Sequence, residues 1–237
     1  MAGDTDPFGS LAARLAERAT PGEVLVVGLT GSVAAGKSTL CGALQARLAP
    51  RLSVEVVTTD GFLLPNAILA ERGLTLRKGF PESYDVEAMI KAIAAVRVGP
   101  TAFPGYSHIT YDVDPVTRIV DRPDILVLDG LGLAPQPAQP DVAGALDLLV
   151  YLDADETDLE TWFVQRFVGF WRAAENEPAS FYAQFSHMSQ DQVEDFARMV
   201  WTGINLPNLR DHIVRARDVA DIVIRKAADH SLAVVRD

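Results

Sequence analysis

The chain has 237 residues, 49% apolar and 22% charged, which is the balance of a globular protein and not of a disordered one. Its net charge of −11 opposes a phosphodiester backbone, so a general nucleic-acid binder is excluded, while a local basic pocket for a small anion is not. One cysteine, Cys41, allows neither an internal disulfide nor a paired-cysteine zinc site. It reads as a small buried side chain on a helix rather than a reactive thiol, and the expected location is a reducing cytoplasm.

Residues 1–22 read as a short N-terminal helical segment. They begin Met1-Ala-Gly-Asp-Thr-Asp-Pro7, which is acidic, lacks an apolar run and does not resemble a secretion signal. No apolar stretch approaches the ~20 residues that span a bilayer. Val24–Leu29 is a continuous Val/Leu run, as expected of a parallel strand buried on both faces. It feeds into Gly31-Ser-Val-Ala-Ala-Gly-Lys-Ser38, a G-x-x-x-x-G-K-S/T phosphate loop, and a helix over Ser38–Leu48 leaves it. Glycines let backbone N–H groups curl around phosphates, and the helix N-terminus adds partial positive charge. The expected nucleotide contacts are Gly31, Ser32, Ala34, Ala35, Gly36, Lys37, Ser38 and Thr39. Lys37 can reach the β- and γ-phosphates of ATP, and Ser38 can ligate Mg²⁺.

A second strand, Val54–Thr58, runs into Asp60, which places a carboxylate beside the phosphate loop. Gly61–Tyr84 then reads as a long loop at the carboxyl end of the sheet, where such folds bind ligands. A helix over Val86–Val96 and a second long loop, Gly99–Pro115, come next. Ile125–Leu128 is a hydrophobic strand closed by Asp129, the Walker B pattern of a magnesium carboxylate. Pro135–Pro140 reads as a surface loop. Leu146–Leu152 is the fourth strand, and Asp153 after it is expected to cap the next helix. Helices over Leu159–Arg172 and Gln190–Trp201 precede a fifth strand, Ile222–Ile224. The whole is one α/β domain: a doubly wound, mostly parallel five-stranded sheet flanked by helices, of the P-loop NTPase kinase type. Neither the Asn/Thr-Lys-x-Asp motif of guanine readout nor an LSGGQ-like stretch is present. The helix with Trp162, Phe163, Arg166, Phe167, Phe170 and Trp171 reads instead as a kinase lid within residues 154–201, with Arg166 meeting the transferring phosphoryl group.

These segments together resemble the type I (bacterial) pantothenate kinases, which group with the uridine kinases and phosphoribulokinases. The resemblance rests on the phosphate loop, Thr58-Thr-Asp-Gly-Phe-Leu-Leu-Pro-Asn66, Lys78-Gly-Phe-Pro-Glu-Ser-Tyr-Asp85, Tyr106-Ser-His-Ile-Thr-Tyr-Asp-Val113 and Asp129-Gly-Leu131. Thr161-Trp162, Arg166-Phe167, Ile204-Asn205 and Asn208-Leu209 extend it toward the C-terminus. It implies ATP-dependent phosphorylation of the primary hydroxyl of pantothenate, on the route to coenzyme A. Asp60 would be the base, and Ser38 with Asp129 would hold the metal. Tyr106, His108, Tyr111, Phe163, Phe167, Phe170, Tyr182, Phe185 and Asn208 would line the acceptor site. Arg217 and His230 would meet the nucleotide, His230 against the adenine. The resemblance also implies a homodimer inhibited by coenzyme A. Two other readings stand beside it: a kinase of another small hydroxylated metabolite, such as a nucleoside or sugar-like compound, and a nucleotide-binding regulator without an acceptor. Asp60 together with Arg166 argues against the last.

The chain departs from the family pattern at several positions. Only residues 1–23 precede Val24, where the family usually has more. Asp129 stands where the family typically has Glu. Gly42 matches a basic residue linked in the family to coenzyme A inhibition, which points to weak feedback here. Phe163 and Phe185 stand where tyrosines are frequent.

Overall fold

The computed structural model describes residues 7–236, so the first six positions of the expected N-terminal helical segment lie outside the described residues. A six-stranded sheet runs β2 (Val54–Thr58), β5 (Ile125–Asp129), β1 (Leu25–Gly31), β6 (Leu148–Ala154), β7 (Ile222–Lys226), β8 (Leu232–Arg236). Its first five strands are parallel, and β8 pairs antiparallel to β7. Every residue of β5 is buried, as are six of seven in β1, which is why these strands read as unbroken apolar runs.

The helices are α1 (Pro7–Arg18), α2 (Lys37–Leu48), α3 (Asn66–Glu71), α4 (Val86–Val96), α5 (Glu156–Ala173) and α6 (Gln190–Val200), then the short α7 (Leu206–Asn208) and α8 (Arg215–Val219). α2 packs on β1, β2 and β5, and α1 packs on α2. α6 starts on a full capping box, in which Ser189 accepts from the Gln192 N–H and the Gln192 side chain accepts from the Ser189 N–H. π-helical turns at Trp201–Asn205 and Leu209–Ile213 flank α7.

The sequence expectation needs four corrections here. The sheet has six strands, not five. β8 escapes the sequence reading because its apolar run, Leu232–Val235, is only four residues long, and it lies at the half-exposed edge of the sheet. The expected loop Gly99–Pro115 is mostly a hairpin, β3 (Thr101–Ser107) and β4 (Asp112–Val120), whose register shifts at Pro104/Gly105. Asp153 does not cap a helix. It lies in β6 and pairs with Arg217 and Arg225, at 3.2 and 3.1 Å. The expected loop Gly61–Tyr84 holds α3 and three single-turn 3₁₀ segments.

One large apolar core surrounds the sheet. A second, mostly aromatic core joins α5 to α6 through Val164, Phe167, Val168, Tyr182, Val193 and Ala197. Phe163 packs against both.

Strand register brings the chemistry to one edge. Asp129 is level with Leu29 of β1 and Thr58 of β2, and Gly31 is level with Leu152 of β6. The phosphate loop, Asp60 and Asp129 therefore leave the sheet side by side at its carboxyl end.

Candidate active site

The phosphate loop is shaped by backbone that few residues tolerate. Gly31 has φ +142°, and a Cβ there would lie 2.3 Å from the Leu152 carbonyl oxygen. Ala34 and Gly36 also take positive φ, at 63° and 101°. The Lys37 ammonium donates to the carbonyls of Gly31 (3.1 Å) and Ser32 (2.8 Å), so the loop holds its own lysine in place. Burial lowers the Lys37 pKa, and Asp129 and Asp60 oppose the fall. Ser38 Oγ donates to Asp129 Oδ2 at 2.6 Å. An alcohol and a carboxylate beside the loop are the hard oxygen donors that magnesium takes. The Ser32 hydroxyl is buried with no hydrogen-bond partner among the described residues. Cys41 is buried, and burial raises its pKa, as expected of an inert thiol.

Asp60 sits in the single 3₁₀ turn Thr59–Phe62, and its backbone N–H donates to Thr58 Oγ1 at 3.2 Å. Burial raises its carboxyl pKa, while Lys37 and His108 pull it back. The Tyr84 hydroxyl lies 3.5 Å from Asp60 Oδ1. His108 is lowered by burial, with Asp60 opposing.

Two clefts meet at the loop. One is lined by Lys37, Ser38, Asp60, Asp129 and Arg166 and continues to Tyr106, His108, Tyr111, Phe163, Phe167, Phe170, Tyr182 and Asn208. The other is lined by Gly36, Lys37, Ser38, Thr39, Arg166, Trp162, Lys226 and His230. Lys37, Ser38 and Arg166 line both, so the two strong charges stand where the compartments join. The hairpin delivers one wall of the first cleft. The Tyr106 ring meets His108 edge-on at 5.2 Å and Tyr111 at 6.1 Å. The lid helix α5 delivers the other wall.

Five expected contacts do not line the clefts: Gly31, Ser32 and Ala35 of the loop, Arg217 and Phe185. Arg217 is held by Asp153 and, with Ser32, Asp155, Glu156 and Arg210, lines a further depression. Phe185 packs in the lid core against Phe167 (5.8 Å) and Phe196 (5.0 Å) and does not line the acceptor cleft. Asn208 is present but already engaged, donating to the Gly79 carbonyl at 2.8 Å. Its Oδ1 is buried without a partner among the described residues.

Sequence reasoning missed Lys78, Tyr84 and Asn205 in the first cleft, and Trp162 and Lys226 in the second. Trp162 stacks on His230 (5.0 Å, 28°), and Lys226 sits 3.9 Å over its ring while donating to the Ala35 carbonyl. The sequence places Trp162 on the lid helix and in the family resemblance without a ligand role, and Lys226 lies nearly two hundred residues from the loop it touches.

A phosphate loop, a Walker B carboxylate, a second strand-end acid and an arginine-bearing lid define a P-loop kinase. Residues 26–168 match the Phosphoribulokinase / Uridine kinase family. A pantothenate kinase of Xanthobacter autotrophicus is 43% identical over 89% of this chain and 69% of that protein. A pantothenate kinase of Vibrio cholerae is 37% identical over 89% and 71%. The chain belongs to the pantothenate kinases of this family. Among solved structures, a kinase of Silicibacter sp. TM1040 assigned to a fructose transport system superposes with a TM-score of 0.72. It is 26% identical over 90% of this chain and 94% of that one. The phosphoribulokinase of Rhodobacter spheroides shares the fold alone, at 14% identity over 87% and 71%, TM-score 0.52. Among the described residues no helix is long and apolar enough to cross a membrane.

Proposed function

We propose that this protein transfers the γ-phosphoryl group of ATP to the primary hydroxyl of pantothenate, a step of coenzyme A synthesis. The observation that carries the reading is that Lys37 and Arg166 line both clefts, while Asp60 lines the one that continues to Tyr106, His108 and Tyr111. Pantothenate as the acceptor is supported by the relatives of that name.

Asp60 serves as the base. Burial raises its carboxyl pKa, which makes the carboxylate a stronger acceptor for the hydroxyl proton. Lys37 and Arg166 hold the transferring group and offset its charge in a site partly shielded from water. Lys37 exchanges two neutral loop carbonyls for phosphate oxygens, so it needs little reorganisation. Ser38 and Asp129 would hold magnesium, which when bound draws charge from the phosphate oxygens. His230 and Trp162 offer aromatic faces to the base of the nucleotide. Tyr106, His108 and Tyr111 orient the hydroxylated end of the acceptor. The Phe163, Phe167 and Phe170 rings cover its other end and exclude water.

The test is ATP-consumption kinetics over pantothenate, nucleosides and sugar alcohols, with phosphorylated product identified by mass spectrometry. Turnover with pantothenate at a kcat/KM of about 10⁴ M⁻¹s⁻¹ or more is expected. Preference for a nucleoside or sugar alcohol would overturn the acceptor and leave the kinase class standing.

A further inference from the structure

Lys78 opens the segment Lys78–Asp85, and neither the phosphate chemistry nor the acceptor walls account for it. Its side chain is half-buried at the base of the acceptor cleft. The ammonium donates to Asn66 Oδ1 at 2.7 Å and to the carbonyl oxygen of Tyr111. Asn66 completes the triangle, since its Nδ2 donates to the same Tyr111 carbonyl at 3.0 Å. The Asn66 backbone N–H donates to Asp112 Oδ1, also at 3.0 Å. Two donors from a segment distant in sequence thus converge on one carbonyl at the hairpin tip.

That carbonyl belongs to a residue in an uncommon conformation. Tyr111 has φ 55°, in the left-handed region that side chains other than glycine seldom occupy. Such a backbone persists only where its surroundings hold it. The same ammonium lies 4.6 Å from the Tyr111 ring centroid and 5.1 Å from that of Tyr106, within cation–π range of both. From the far side, the Phe181 N–H donates to the Ile109 carbonyl at 2.7 Å, and the Phe181 ring stacks on Tyr111 at 4.8 Å. The hairpin tip is therefore gripped between the Asn66/Lys78 pair and the segment that follows the lid helix. Burial lowers the Lys78 pKa, and Asp112 and Asp60 oppose the fall.

We propose that Lys78 is a positioning residue of the acceptor site, acting with Asn66 as a clamp on the Tyr111 carbonyl that fixes the Tyr106, His108 and Tyr111 side chains toward Asp60. The inference rests on the kinase reading above and assigns a duty that reading leaves open. Lys78 does its work through the hairpin and not as a charge on either substrate. Asn66 separates the two possibilities, because it shares the clamp and does not line the cleft.

The test compares Lys78→Met, Asn66→Ala and the double variant for kcat, acceptor KM and ATP KM. Wild-type turnover on the acceptor panel tests the kinase reading separately, and the variants are assayed with whichever acceptor the wild-type enzyme uses. Both single variants are expected to lower kcat/KM for the acceptor about tenfold or more, because small misplacements of orienting groups cost that much. ATP KM should stay within about twofold, and the double variant should match the worse single one, as coupled residues do. Asn66→Asp, which keeps an acceptor for Lys78 but loses the donor to Tyr111, should fall between wild type and Asn66→Ala. Normal acceptor kinetics in Asn66→Ala would overturn the clamp, as would additive losses in the double variant. A rise in ATP KM confined to Lys78→Met would assign the lysine to the donor phosphates instead. Should Lys78→Met fail to fold, the two Asn66 variants decide the matter alone.

Discussion

Gly61→Ala is the substitution whose outcome the structure constrains most tightly. Gly61 follows Asp60 within the same 3₁₀ turn and lies directly beneath the β3 strand of the hairpin. A Cβ at this position would stand 2.1 Å from the Pro104 carbonyl oxygen and 2.8 Å from its carbonyl carbon, whereas real contacts essentially never fall below 3.0 Å. The obstacle is backbone, so no side-chain rotation relieves it. The hairpin must retreat by nearly 1 Å, or the turn carrying Asp60 must move the other way. Overpacking of this kind costs about 1–3 kcal/mol of stability. The larger effect falls on catalysis, because Tyr106, His108 and Tyr111 ride on the hairpin while Asp60 rides on the turn. A 1 Å misplacement costs about 10²-fold in rate, or about 2.7 kcal/mol of barrier. Steady-state kinetics would read this as a fall in kcat/KM for the acceptor with ATP KM little changed. Thermal melting would record the smaller loss of stability. A folded Gly61→Ala enzyme with wild-type acceptor kinetics would refute the proposed contact between the base-bearing turn and the hairpin.

Lys37→Ala removes a charge shared by both clefts and should lower kcat by about 10²–10³-fold, the loss of one oxyanion donor, without unfolding the protein; circular dichroism with turnover assays checks both. Asp60→Asn should lower kcat by about 10²–10⁴-fold while ATP binding, followed by calorimetry, persists. Because burial raises the Asp60 pKa, the ionised side chain opposes folding once pH climbs through that folded value, and the penalty is absent below 3.8. The Asn variant should therefore melt higher than wild type at pH 7, and the acid limb of kcat/KM, lying above pH 3.8 in wild type, should vanish with it. A Cβ at Gly42 meets nothing within 4 Å, so Gly42→Arg should keep basal activity. As a test of the coenzyme A feedback that the family resemblance implies, the variant should bind coenzyme A about tenfold or more tighter than wild type, as one charge-assisted contact predicts, and unchanged binding would remove that position from feedback. Phe163→Tyr adds a hydroxyl within the acceptor cleft and should raise kcat/KM for pantothenate by roughly two- to tenfold; no gain would show the wild-type ring to be sufficient.

The parts of the molecule that were readable from sequence are those whose physics is local. Val54–Thr58 and Val86–Val96 appear with the expected bounds because each is a strong periodic signal between turn residues. The phosphate loop, Asp60 and Asp129 were legible because strand, glycines and acid follow one another along the chain. β8 and the hairpin were not: the apolar run of β8 is only four residues long, and Pro104, Gly105 and the polar stretch of β4 deny the hairpin a continuous one. The hairpin follows the helix Val86–Val96, so its place at the acceptor site was implied by the resemblance carried by Tyr106–Val113 and not by its position or its shape. Arg217 and Phe185 show the limit of carrying roles across by likeness. The first is taken up by Asp153, and the second turns into the lid core. Lys226 and Trp162 required the tertiary structure, because one ends β7 and the other lies in α5, and only the fold brings them to one patch of surface.

The separate aromatic core of the lid carries a consequence for stability at the level of parts. Val164, Phe167, Tyr182, Val193 and Ala197 pack chiefly with one another, with Phe163 as the seam to the main core. Clusters of this kind open as cooperative units of their own. Amide hydrogens of α5 and α6 should exchange together, and sooner than those of β1 and β5. The same partition makes the enzyme modular under mutation: side chains that contact the acceptor can be exchanged inside the smaller unit while the nucleotide half keeps its packing intact.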